Sequence, residues 1–212
     1  MKKAGLFILG SIFILFSCTL PKENVANFEG KFIYRIDNPM NVQDDSDSIN
    51  YQVVYAKDSM LRIDNYTPIG KQIFIKHIPL NRAYILMDLG SQKVAIQTYT
   101  DTLQADQSYA FKARAGTKTI GGVKTKRIEV HDLELDTTLI MHYAPDIPAK
   151  YSTSIEGMPG MPIKYFLFTN NVWLTYELIS LDTSPLNIDL FGIPSDHQII
   201  TLDEFIKMIE EE

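Results

Sequence analysis

Ser195-Asp196-His197 sets the three residue types of a hydrolytic triad side by side. Adjacency is the wrong arrangement, because neighbouring side chains diverge, whereas a triad lines up residues drawn from distant positions. A polar turn is the better reading of these three. The four histidines, His77, His131, His142 and His197, fall in no H-E-x-x-H, H-x-H or Cys/His pattern, so their spacing recommends no zinc site. Met158 and Met161, with Met141-His142, carry thioether and imidazole groups suited to Cu(I). Methionine equally fills irregular core gaps, and that reading is preferred here. The acidic run Asp44 to Ser48 invites a calcium loop, but started at Asp45 it would put Asn50 at the required glycine and Ala56 at the required glutamate. Gly121-Gly122 lies between strand patterns and precedes no helix, so it reads as a tight turn and not as a phosphate loop. No catalytic residue, metal or cofactor is expected, and the chain is not read as an enzyme.

The one cysteine offers different chemistry. Lys2 and Lys3 precede thirteen uncharged residues, Ala4 to Phe16, the last two of which open Leu15-Phe16-Ser17-Cys18. A basic start and a short apolar run read as an export signal, too short for the ~20 apolar residues of a spanning helix. Ser17 before Cys18 resembles the bacterial lipobox, which implies thioether diacylation of Cys18 and cleavage in front of it. A plain secretory signal or an uncleaved anchor helix is the alternative. On this reading residues 1–17 are a lipoprotein signal peptide, 18–27 a lipid-anchored tether, and 28–212 one β-rich domain. The acyl chains would hold the protein on a membrane without spanning it.

Loss of Lys2 and Lys3 with the signal moves the formal charge from −6 to −8. Such a balance argues against nucleic acid and against electrostatic docking to anionic lipid. A single cysteine leaves no internal disulfide, so stability must come from a packed core.

From Phe28 to about Ser180 the pattern is strand and turn. "FEGKFIYRI", "YQVVYAKDSMLRIDNY" (two strands turned at Lys57-Asp58-Ser59), "KQIFIKH", "RAYILMD" and "KVAIQTY" make a first series. "SYAFKARA", "VKTKRIEVH", "TTLIMHYA", "IKYFLFT" and "WLTYELISL" make a second. Strands this short, with gaps this short, form meanders of antiparallel hairpins. At the C-terminus Thr201 and Glu204 form a capping-box pattern, and Leu202, Phe205, Ile206 and Ile209 recur at helical spacing. An amphipathic helix from Leu202 to Glu210 is predicted, its stripe laid on the sheet.

Residues 120–163 carry a family pattern. Ile120, Gly122 and Val123, then Tyr143, Asp146, Ile147 and Pro148, then Gly157-Met158-Pro159-Gly160-Met161 resemble the GLPGLI-type proteins of bacterial envelopes. Val123 stands where that pattern has tyrosine, Thr125 where it has cysteine, and Pro162 replaces its final isoleucine. The resemblance implies a fold similar to the lipoprotein carriers LolA and LolB. That would be a mainly β (α+β) chain with one curved antiparallel sheet, a half-open barrel over a hydrophobic cavity, and here a C-terminal amphipathic helix.

The expected function is an outer-membrane lipoprotein of the bacterial envelope, anchored through Cys18. It would bind a lipid or acyl chain on the concave side of the sheet. Phe32, Tyr34, Phe74, Tyr84, Phe166 and Trp173 are the candidate lining residues, chosen for size and strand position. The alternative is a structural or interaction module that holds an envelope protein and takes no small ligand. In "SIEGMPGMPIKYF", Gly157 and Gly160 would each allow positive φ, Met158 and Met161 would plug a sheet corner, and the loop's one functional option is as a lip of the cavity.

Overall fold

The computed structural model describes residues 28–37, 50–67, 70–90, 92–99 and 109–210. The predicted signal segment, Cys18, the tether 19–27 and the acidic run Asp44 to Ser48 lie outside them. The first series of strands is β1 (Glu29–Asp37), β2 (Tyr51–Lys57), β3 (Met60–Thr67), β4 (Gly70–His77), β5 (Arg82–Asp88) and β6 (Lys93–Tyr99). The second is β7 (Tyr109–Ile120), β8 (Val123–Asp132), β9 (Thr137–Ala144), β10 (Met161–Thr169) and β11 (Val172–Asp182). A short β12 (Gln198–Thr201) leads into the helix α1 (Leu202–Glu210). Turn chemistry sets the hairpins: Asp58, Asn81, Asp136, Asn170 and Asn171 take the left-handed backbone that short polar side chains tolerate.

The twelve strands among the described residues join one sheet, in the order β12-β6-β5-β4-β3-β2-β1-β11-β10-β9-β8-β7. It is two antiparallel meanders, β1 to β6 and β7 to β11, fused where β1 pairs with β11. β12 is the exception to the predicted antiparallel pattern, lying parallel to β6 with Gln198 opposite Val94. The sheet has to bend. Ten strand spacings of ~4.8 Å separate β6 from β7, about 48 Å if flat. Ten residue steps from Tyr99 to Tyr109 reach at most about 35 Å. The result is a mainly β fold built on a large, curved, unclosed sheet.

Alternation sorts the side chains between its two faces. Inside lie Phe32, Tyr34, Val54, Leu61, Ile63, Ile128, Met141, Ile163, Tyr165 and Leu178. The β9–β10 connection folds over this inner face and adds Ile147, Tyr151, Ile155 and Met158 to the same core. The Tyr151 hydroxyl lies 2.7 Å from the Asp58 carbonyl and 3.2 Å from that of Phe28, tying the connection to two strand ends.

Outside, Ile75, Tyr84, Leu86 and Ala95 form a second cluster, covered by Ile193. The chain after β11 is stitched along this outer face: Lys57 Nζ and Arg62 Nη1 donate to the carbonyls of Leu186 and Leu190, and His77 Nε2 lies 3.2 Å from that of Phe191.

The capping box forms as predicted, with Thr201 N donating to Glu204 and Glu204 N to Thr201 Oγ1. The helix stripe does not lie wholly on the sheet. Phe205 and Met208 pack on Val94, Ile96 and Ile200, while Leu202, Ile206 and Ile209 stay 47, 41 and 52 % exposed. A helix that starts directly at the edge strand can turn only one pair of side chains toward β6.

Candidate functional site

The two arms of the bent sheet leave a cavity of about 770 Å³ on the inner side. Phe74 and Lys76 reach it from β4 and Ile78 from the turn that follows; Tyr109 opens β7 on the facing wall. Leu167 and Phe168 on β10, with Tyr176 on β11, make the floor, and residues 149–157 of the β9–β10 connection make the roof. Apolar groups make up more than half of the lining; of the polar ones, Lys150, Ser152, Thr153, Ser154 and Glu156 come from the roof, Lys76 from β4 and Thr169 from β10.

Packing fixes these walls. Tyr176 stacks on Tyr165 at 4.8 Å between ring centres, and Tyr165 meets Tyr34 edge-on at 5.9 Å. The Lys150 ammonium sits 5.0 Å over the Tyr151 ring. Burial raises the Tyr176 phenol above its ordinary value and, aided by Asp132 and Glu134, pushes Tyr109 up to about 12. Both stay protonated and neutral through the physiological range.

Of the six candidate lining residues, Phe74 alone lines this cavity. Phe32 and Tyr34 are completely buried beneath it, and Tyr34 donates to the Pro162 carbonyl. Tyr84 lies on the outer face, because register pairs it with Ile75 while Phe74 pairs with Ile85. Phe166 packs against the inner core, and Trp173 meets Phe168 at 5.2 Å at the β10–β11 hairpin end. Size and strand position picked these rings, but the face each shows depends on pairing register. Tyr109, Leu167, Phe168 and Tyr176 were missed; the strand patterns that hold them carry bulky residues in both phases.

The chemistry-bearing residues stay apart. Ser195-Asp196-His197 forms a turn in which His197 Nδ1 meets Asp196 Oδ1 at 2.8 Å. The His197 backbone N–H donates to the Pro194 carbonyl. Among the described residues no three of His, Cys, Asp and Glu converge as a metal set. Met141, Met158 and Met161 are buried in the inner core, whereas His142 pairs with Arg127 and Lys164. Gly157 does adopt positive φ, at 81°. Gly160 does not; there a Cβ would run into the Ala144 carbonyl oxygen, so close approach is what demands glycine.

No family model matches the chain, and no curated protein matches it. Among solved structures it is similar to PNGF-II, with a TM-score of 0.54 and 16% identity over 86% of this chain and 33% of that one. It is also similar to MucB, with a TM-score of 0.43 and 15% identity over 82% of this chain and 59% of that one. The chain thus spans about a third of the length of PNGF-II and under two thirds of MucB. At this identity the likeness to PNGF-II shows the fold alone.

Proposed function

We propose that the protein is an acylated envelope lipoprotein whose curved sheet, a half-open barrel of the LolA/LolB kind, binds a lipid or acyl chain. The observation that carries this reading is the apolar cavity between β4, β7 and β10–β11. Its volume falls in the ~300–1,000 Å³ range of ligand pockets, and most of its polar groups sit at the roof while the floor is apolar apart from Thr169. Each methylene buried there would contribute about 0.8 kcal/mol, so affinity needs no charged anchor.

A dansyl-labelled fatty acid tests it. The native protein, purified without detergent, should bind the probe and carry a co-purified hydrophobic molecule in native mass spectra. Leu167→Trp, which fills the floor, should weaken the probe at least about tenfold with the fold retained. Absence of both adduct and probe binding would overturn the reading. A second reading, an envelope interaction module without a small ligand, is favoured by one observation: Phe32, Tyr34, Tyr151 and Tyr165 fill the rest of the inner face.

A further inference from the structure

The net charge conceals a segregation. Residues 109–128, which are β7 and the first part of β8, hold six cations and no acid, so the remaining chain carries −12; the rest of β8 adds the acids Glu129 and Asp132. Arg114 reaches Glu129, but among the described residues Lys118, Lys124, Lys126 and Arg127 have no carboxylate within ion-pair distance. Register extends the basic surface across the sheet. Arg114 pairs with Arg127, Arg127 with His142, His142 with Lys164, Lys164 with Glu177, and Glu177 with Arg35, each one strand spacing of ~4.8 Å from the next. Glu177 is the one acid of the rung and bridges Lys164, while Arg35 and Arg114 pair with Asp37 and Glu129, so among the described residues Arg127 and His142 are its members without a carboxylate in ion-pair reach. The buried His142 Nδ1 has no hydrogen-bond partner.

Lysines on an edge strand commonly serve to block pairing with other chains. That accounts for Lys112 and Lys118 on β7, but not for Lys126 and Arg127, which pair with β7 on one side and β9 on the other. The hairpin also leans back into the sheet, where Gly121 lies against Leu178 of β11. Leu178 pairs with Tyr34 on β1, six residues from Phe28, or about 20 Å of strand. The basic surface is therefore near the point where the N-terminal segment enters the sheet.

We infer that the β7–β8 hairpin and the adjoining rung dock on the anionic headgroups of a lipid bilayer. Acidic residues elsewhere do not cancel this attraction, because charges beyond the ~8 Å screening length are largely silent at physiological salt. Net acidity therefore does not keep this hairpin off anionic lipid. The inference rests on the anchored-lipoprotein reading only for orientation: a tether of nine residues from Cys18, at most about 30 Å, would hold this end near the membrane.

The full chain mixed with phosphatidylcholine vesicles, with and without phosphatidylglycerol, tests the inference by sedimentation. Insertion of the N-terminal segment or an acyl anchor contributes to both, so the difference isolates the patch. Binding should be at least about tenfold tighter with phosphatidylglycerol at about 50 mM salt, and the preference should vanish at about 500 mM. Lys124→Gln with Arg127→Gln should cut the preference about thirtyfold, or abolish it where it is smaller, at roughly fivefold per cation. Arg82→Gln with Lys207→Gln, an equal charge change elsewhere, should leave it intact. Equal loss in both variants, no preference in the native chain, or capture of poly-glutamate with indifference to vesicle charge would each overturn the inference. Charge-independent vesicle binding would leave the anchor standing and remove the patch. The native chain's salt response keeps the test decisive even if the double variant misfolds.

Discussion

The Tyr34 hydroxyl donates a 2.8 Å hydrogen bond to the carbonyl oxygen of Pro162, 128 positions along the chain, inside the inner core. Tyr34 belongs to β1 and Pro162 to β10, strands that never pair, so the bond crosses over β11. Tyr34→Phe should destabilise the fold by about 1–2 kcal/mol, because a buried carbonyl loses its donor while the ring packing survives. Urea denaturation checks this; an unchanged midpoint would mean water replaces the hydroxyl.

Gly160 and Gly122 separate two reasons for glycine. At Gly122, φ is 80° and an added Cβ would meet nothing within 4 Å, so Gly122→Ala should cost only the backbone contribution of about 1–2 kcal/mol. At Gly160 the same methyl would strike the Ala144 carbonyl and the Tyr143 ring, where overpacking adds up to about 3 kcal/mol or more. Soluble yield and thermal midpoint should fall further for Gly160→Ala than for Gly122→Ala.

His142 gives stability a pH dependence. Burial, then the nearby Lys118, Arg127 and Lys164, hold its pKa below the usual 6.5. The unfolded chain thus binds the proton first, so the contribution is complete above about pH 6.5 and is lost as pH falls through the lower folded value. The melting midpoint of the native protein should drop over that window. His142→Asn should flatten the drop, and a profile identical to wild type would refute the assignment.

The helix surface offers a contrast inside one element. Ile206→Gln and Ile209→Gln, on the exposed side, should change stability by less than about 0.5 kcal/mol. Phe205→Ala, which uncovers Val94 and Ile96, should cost about 2 kcal/mol. Equal effects on both sides would mean the stripe is covered in solution.

Strand existence was legible because turn residues mark nearly every hairpin: Asp58, Asn81 and the Asn170-Asn171 pair sit between alternating runs. The capping box gave the start of α1 for the same local reason. Facing was not legible. Tyr84 and Phe74 have similar size and settings, yet β4–β5 register turns them to opposite faces. β12 escaped notice because "QIIT" is short and its partner, Val94 to Gln97, is about a hundred positions earlier. The hairpin's cations were visible in the sequence, but a whole-chain sum hid them; their continuation through Lys164 and Arg35 needed the strand order. The cavity needed the curvature, which follows from strand order and the length of the β6–β7 connection together.

The parallel pairing of β12 with β6 has a consequence for the order in which the molecule is completed. β6 is finished early in synthesis, and its free edge can be covered only by residues made about a hundred positions later. Contacts of such long sequence separation form slowly. Until Gln198 to Thr201 are available, the β6 edge is an open template with apolar Val94 and Ile96 beside it, able to recruit a strand from another chain. A chain stalled before β12 should therefore associate through that edge, which makes β12 the latch that ends the molecule's vulnerable period.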